Sequence, residues 1–155
     1  GVEGLRKKIL ARKSELDATV PGDYEKEIYL DALLIVCEGM ETLAERYAIE
    51  AERLAALEGD GRRKAELREI AVVCRQVPAY PARTFREAMQ SFYFYQICIF
   101  MEQNAAAYNP GRMDQYLYPY YKADLEAGRI TADTALTYSA HYETLEKRLA
   151  ALGLC

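Results

Sequence analysis

The residues best suited to chemistry lie between Glu102 and Tyr121. Glu102 follows the apolar run from Phe92 to Met101 and precedes the alanine triplet Ala105-Ala106-Ala107. Arg112 could hold a substrate carboxylate in a bidentate fork, or it could tie down the carbonyls of the Asn109-Pro110-Gly111 turn. Asp114 falls in the first turn of the helix that follows, where the helix dipole stabilises an acid. Tyr116, Tyr118, Tyr120 and Tyr121 are expected to fix helix packing, with their hydroxyls bonded at the rim. His141 has no Ser, Cys or Asp partner at a suggestive spacing and reads as a rim histidine. Carboxylates are frequent, but none pairs with a second one in an apolar setting, so no general acid–base couple is visible. Dinucleotide, phosphate-loop, zinc-protease and serine-hydrolase motifs are all absent from the sequence.

The cysteines Cys37, Cys74, Cys98 and Cys155 are far apart and form no C-x-x-C pair. With one histidine they supply no tetrahedral metal set at recognisable spacing, so no metal or bound cofactor is expected. Cys37, Cys74 and Cys98 sit inside apolar helical runs, where a thiol behaves as a small buried hydrophobe. A length of 155 residues suits one domain with a core, and 51% apolar against 28% charged residues argues against disorder. The net charge of −4 is spread as alternating signs, without the basic stripe a nucleic-acid partner requires. The run from Phe92 to Met101 is about half the length of a membrane span, and no signal peptide is visible, which points to a cytoplasmic protein without a membrane partner. The chain opens on Gly1-Val2 without an initiator methionine, as expected of something cut from a longer protein.

Positioning those residues falls to helices. The first is expected from Val2 to Ala18, with Leu5, Ile9 and Leu16 on one face, ending at Pro21-Gly22. Asp23 is placed to cap a long second helix over Tyr24 to Glu58, whose stripe is Leu33, Val36, Met40, Leu43, Tyr47, Ala51 and Leu54. A third helix runs from the Gly59-Asp60-Gly61 turn to Gln76 and stops at Val77-Pro78. Thr84-Phe85-Arg86-Glu87 is a capping box opening the fourth helix. That helix becomes apolar all round from Phe92 to Met101, which demands burial on every side. Phe92, Phe94, Ile97, Ile99, Phe100 and Met101 are expected to leave an exposed patch that favours homo-oligomers. The fifth helix is expected from Met113 to Ala127 with an interruption at Pro119, and Thr131 caps a sixth whose stripe includes Ala135, Tyr138, Tyr142, Leu145, Leu149 and Leu152.

Three ordered blocks carry a family resemblance: Ile70 to Pro78, Pro81 to Gln90, and Gly111-Arg112-Met113-Asp114-Gln115-Tyr116-Leu117-Tyr118-Pro119-Tyr120-Tyr121. Together with Arg46-Tyr47-Ala48 and Ala51 they resemble the central part of the glycyl radical enzymes, the family of pyruvate formate-lyase and of radical dehydratases and decarboxylases. The resemblance implies a mainly α fold, a helical segment of an α/β barrel with at most one short strand near 105–108. It implies a partial pyruvate formate-lyase-like domain over residues 1–135 and a helical tail over 136–155. Asp114-Gln115-Tyr116 resembles the dehydratase and decarboxylase branch.

In such enzymes an iron–sulfur activating enzyme that uses S-adenosylmethionine installs a radical on a glycine, and the radical passes to a cysteine that attacks substrate. Neither the R-V-[SA]-G-[YF] nor the G-C-x-E context occurs in this sequence, so no catalytic residue carries over. One wall does. Gln103-Asn104-Ala105-Ala106-Ala107 resembles the Q-N-G-A-A of pyruvate formate-lyase, which makes Ala106 and Ala107 the implied substrate-binding residues. A wall without hydroxyl partners would disfavour a polyol, whose buried hydroxyls would go unpaired. The implied activity is radical cleavage or elimination on a small organic substrate, of the formate C-acetyltransferase and lyase kind, with these residues inactive alone. The implied partners are the remainder of the parent enzyme and its activating enzyme. The other reading is a non-catalytic helical interaction module derived from the same scaffold.

Overall fold

The computed structural model describes residues 1–17, 19–102 and 110–139. Ala106 and Ala107, the strand expected near 105–108, His141, Cys155 and the tail stripe from Tyr142 onward lie outside the described residues. Among the described residues the regular structure is helical throughout, with no strand. Where the length suits one core, the chain divides into two compact units, Gly1–Pro81 and Ala82–Cys155.

The first unit contains α1 (Val2–Lys13), α2 (Asp23–Leu57) and α3 (Gly61–Gln76). α1 is shorter than its pattern suggests. It ends at Ser14, whose hydroxyl turns back to donate to the Ala11 carbonyl at 2.7 Å. Val2 and Ile9 are its buried residues, whereas Leu5 stays 49% exposed. Asp23 is the first helical residue of α2 and does not cap it. Gly22 takes the N-cap position at φ 85°, and the Asp23 carboxylate accepts from the Asp17 N–H and from Lys26. Asp60, within the expected turn, caps α3, its carboxylate accepting from the amides of Arg62 at 2.7 Å and Arg63 at 3.0 Å.

The long α2 stripe is only half right. Its buried residues are Cys37, Ala44, Ala48, Ala51 and Ala55, while Val36, Tyr47 and Leu54 face outward. The physical reason is size. A run of alanines lets α3 approach closely, bringing Leu67, Ala71, Val73 and Cys74 into the interior. Leu33 and Met40 pack instead against the cluster of Val2, Ile9 and Cys37 beneath α1. Ion pairs line the edges: Arg75 clasps Glu52 and reaches Glu45 at 3.4 Å, and Arg6 holds Glu41. The Gly1 end of α1 is tied down by Val2 N–H to the Pro78 carbonyl at 2.9 Å and Glu3 N–H to that of Ala79 at 3.0 Å. A Cβ on Gly1 would meet the Ala79 oxygen at 2.4 Å, so only glycine fits there.

The second unit contains α4 (Phe85–Glu102), α5 (Met113–Glu126) and the helical residues 132–139. Phe85, Ala88, Met89, Leu117 and Ala135 form its core, flanked by Met113, Tyr120, Tyr121 and Tyr138. α5 runs through Pro119 without a break. Its C-terminus is a glycine-closed turn: Gly128 at φ 67° donates to Leu125, and Arg129 donates to the Asp124 carbonyl at 2.9 Å. Thr131 caps the following helix, accepting from the Thr134 amide at 3.1 Å.

Candidate functional site

The implied substrate wall would join the end of α4 to the start of α5, and both flanks are in view. α4 keeps its apolar character to Met101, which is 74% exposed, and ends at Glu102. Phe94 is fully buried, which corrects its place in the expected exposed patch, and Phe92, Ile97, Ile99 and Phe100 are half-buried. On the other flank Gly111 adopts φ 70°, a left-handed conformation that glycine takes without strain. The Met113 amide donates back to the Gly111 carbonyl at 3.0 Å, and the Tyr116 hydroxyl donates to the Pro110 carbonyl at 3.1 Å. That bond fits the expectation that these tyrosines pin their helix at its rim.

Arg112 does not tie down the carbonyls of the turn. Its guanidinium forks onto the Asp114 carboxylate, with Nε to Oδ1 at 2.9 Å and Nη2 to Oδ2 at 2.7 Å. This pair, more than the helix dipole, holds the Asp114 carboxyl below its usual range. Both side chains are exposed, so the pair adds little to stability.

Behind that pair lies a cavity of about 510 Å³ lined by Phe85, Met89, Met113, Leu117 and Tyr121, with Asp114 also on its wall. Aromatic rings set its shape: Phe85 meets Tyr121 edge-on at 5.8 Å between centroids. The lining is mainly apolar, with Asp114, Tyr118 and Ser139 as its polar members, and the Ser139 hydroxyl donates to the Ala135 carbonyl at 3.1 Å. Among the described residues no group of His, Cys, Asp and Glu could hold a metal ion.

Two acidic residues anchor the site: Asp124, which spacing alone did not single out, and Glu87, which the capping box did. Asp124, 2% exposed, accepts from the Phe85 N–H at 2.8 Å and from Arg129 Nε at 2.8 Å. It thereby clamps the first residue of α4 to the last turn of α5. The Asp-x-x-x-Gly-Arg order could have hinted at it, since the arginine falls just past a glycine-closed helix end. Glu87 is buried and half fulfils the capping box. The Thr84 hydroxyl accepts its amide at 3.1 Å, while its carboxylate takes the Arg83 N–H at 2.7 Å and the Arg83 guanidinium. Burial works against the Glu87 carboxylate, but the Arg83 contacts outweigh it and hold the acid below its ordinary range.

The cysteines behave as packing groups. Cys37 and Cys74 are 2% and 3% exposed, and burial pushes the thiols of Cys37 and Cys98 up. No described helix is long and apolar enough to cross a membrane.

A family model described as pyruvate formate lyase-like matches residues 1–143. Isethionate sulfite-lyase of Nitratidesulfovibrio vulgaris is 43% identical over 138 residues, covering 88% of this chain and 17% of that protein. A structure concerned with 1,2-propanediol dehydration in Roseburia inulinivorans superposes with a TM-score of 0.86 at 38% identity, over 89% of this chain and 16% of that one. A glycyl radical enzyme from Archaeoglobus fulgidus gives a TM-score of 0.85 at 36% identity, over 90% of this chain and 18% of that one. The chain thus spans about a sixth of the length of the relatives it matches. With the family model covering most of its length and its helices superposing on solved members, the chain belongs to the pyruvate formate-lyase-like family of glycyl radical enzymes.

Proposed function

We propose that this chain is a scaffold segment of a glycyl radical enzyme that cleaves or eliminates a group from a small organic substrate, and that it is inert by itself. The burial of its cysteines carries the reading. A radical relay needs a thiol at a substrate, and Cys37 and Cys74 are interior packing on helices, with Cys98 on the apolar α4. The glycines likewise lack the sequence context that receives the radical in the family. The segment's contribution is to shape: α4 and α5, clamped by Asp124, lead into Ala106 and Ala107, which form part of the substrate wall. The alanine pair offers no hydrogen-bond partner, so the substrate face there is apolar and a polyol is disfavoured. The partners of this reading are the rest of such an enzyme and an iron–sulfur activating enzyme that uses S-adenosylmethionine.

Two arms test it by electron paramagnetic resonance. Incubated anaerobically with an activating enzyme and S-adenosylmethionine, the 155-residue chain should show no glycyl doublet. Residues 1–143, exchanged for the matching segment of the isethionate sulfite-lyase, should give a chimera that does acquire the doublet on activation. A doublet on the chain itself, or a well-folded chimera that never takes up the radical, would sink the reading.

A further inference from the structure

The cavity behind the Arg112–Asp114 pair is walled by two helices of the second unit. α5 presents Met113, Leu117 and Tyr121 to it, each about a turn after the last, and α4 presents Phe85 and Met89 in the same way. At about 510 Å³ it is far larger than the voids a packed interior keeps.

Its polar members are already engaged. Both Asp114 carboxylate oxygens accept from the Arg112 guanidinium, at 2.9 and 2.7 Å, and the Ser139 hydroxyl donates to the Ala135 carbonyl. The Tyr118 ring lies 6.4 Å from that of Tyr121, at the solvent side of the wall. A small polar ligand needs groups inside its pocket that fix its orientation, and its donors and acceptors would go unpaired against these walls. A large apolar side chain needs only the walls. Met89 and Met113, with unbranched thioether stems, adapt to its shape.

The residues of the wall point to where that side chain comes from. All of them, from Phe85 to Ser139, fall within the segment 1–143 that the family model matches. The stretch shared with the isethionate sulfite-lyase is 17% of that protein, so most of such an enzyme lies outside it. A segment of the same fold arrives at high effective concentration. A second copy or a free ligand must instead bear the full entropy of association.

We propose that this cavity is a socket in which the remainder of the enzyme seats a large apolar side chain, bracing α4 against α5. The proposal rests on the scaffold reading and gives its main partner a point of attachment.

The test compares the 155-residue chain with the full-length chimera in which residues 1–143 replace the matching segment of the isethionate sulfite-lyase. Tyr118→Cys puts a thiol on the wall at a position 57% exposed in this chain. Its alkylation by iodoacetamide is followed by peptide mass spectrometry, which resolves it from the native cysteines. In the isolated chain it should react as an open thiol, and in the folded chimera at least about tenfold more slowly. Ser139→Phe, at an exposed position on the wall, adds a ring to the cavity. It should leave the urea midpoint of the isolated chain unchanged or higher, yet lower the thermal midpoint of the chimera, where two side chains would compete for one space. Equal alkylation in chain and chimera, or Ser139→Phe acting alike in both, overturns the proposal. So does protection already present in the isolated chain, whether it fades on dilution, as for a second copy, or on deletion of residues 140–155. The glycyl doublet is read on the same chimera. An open socket in a chimera that takes up the radical refutes the socket alone, and a closed socket without the doublet refutes the lyase reading alone.

Discussion

Removing the Asp124 carboxylate should loosen the start of α4 more than any other single change in the second unit. In Asp124→Ala the Phe85 amide loses its acceptor while remaining at a buried position, since Phe85 is 6% exposed and the bond it loses is 2.8 Å long. An unsatisfied buried donor costs about 1–3 kcal/mol. The Arg129 guanidinium also loses its partner, but half of that side chain is in solvent, so this part adds no more than about 1 kcal/mol. The sum is about 1–4 kcal/mol. Asp124→Asn keeps an acceptor in reach of Phe85 and gives up the charge, so it should cost about 1 kcal/mol. The difference between the two variants isolates the amide. Because the chain has two compact units, a single unfolding free energy is ill-defined, and a local probe is needed. Native-state hydrogen exchange at the Phe85 amide is such a probe: a 2 kcal/mol loss corresponds to about 30-fold faster exchange. Unchanged protection of that amide in Asp124→Ala would refute the clamp and with it the idea that α5 positions α4.

Glu87→Gln should remove a pH-dependent part of the second unit's stability. The folded Glu87 carboxyl is held below its ordinary value of 4.5, so its contribution is present above that value and is lost as pH falls through the lower folded one. Urea midpoints of wild type and variant should therefore differ at neutral pH and converge in acid; a gap that stays constant with pH would count against the Arg83 pairing. Ala48→Leu should destabilise the first unit by about 1–3 kcal/mol through overpacking, because Ala48 is fully buried among small residues. Tyrosine fluorescence during denaturation would report it, and a neutral or stabilising result would mean that α2 and α3 are not closely packed.

The sequence displays most of the helix boundaries because their signals are local. Thr84 and Thr131 are capping residues read from a few neighbours, and the structure gives each the bond its position suggests. Asp23 misleads for the same local reason. It has the right type for a cap, but Gly22 at φ 85° takes the turn and frees the acid for Lys26. Pro119 misleads differently: it reads as a break, yet α5 continues through it with Leu117 in the core and Pro119 exposed. The α2 stripe shows what periodicity alone leaves open. Its apolar arc is wider than one neighbour can cover, and which part turns inward depends on alanine size and on where α3 lies, neither of which spacing encodes. The candidate site was legible only in part. The role of Arg112 depends on Asp114 lying in reach, and that of Asp124 on Phe85, which is 39 residues away in sequence.

Burial of the cysteines bears on how the chain divides its labour. A thiol at 2% exposure with its ionisation pushed up is protonated and screened at neutral pH, so Cys37 contributes volume where Val2 and Ile9 need a small apolar neighbour. The polar groups are likewise spent on structure. Asp124 and Glu87, the buried acids of the second unit, are each committed to a backbone amide and an arginine. On the proposed scaffold reading the described residues act through position, with caps and clamps fixing α4 and α5. The experiment that separates position from chemistry is the Asp124→Asn variant placed in the chimera with the isethionate sulfite-lyase. If the segment acts only by position, the variant should still take up the glycyl radical, while turnover falls in step with the loss of Phe85 protection. Loss of the radical signal itself, with the chimera still folded, would mean that this segment takes part in the chemistry directly.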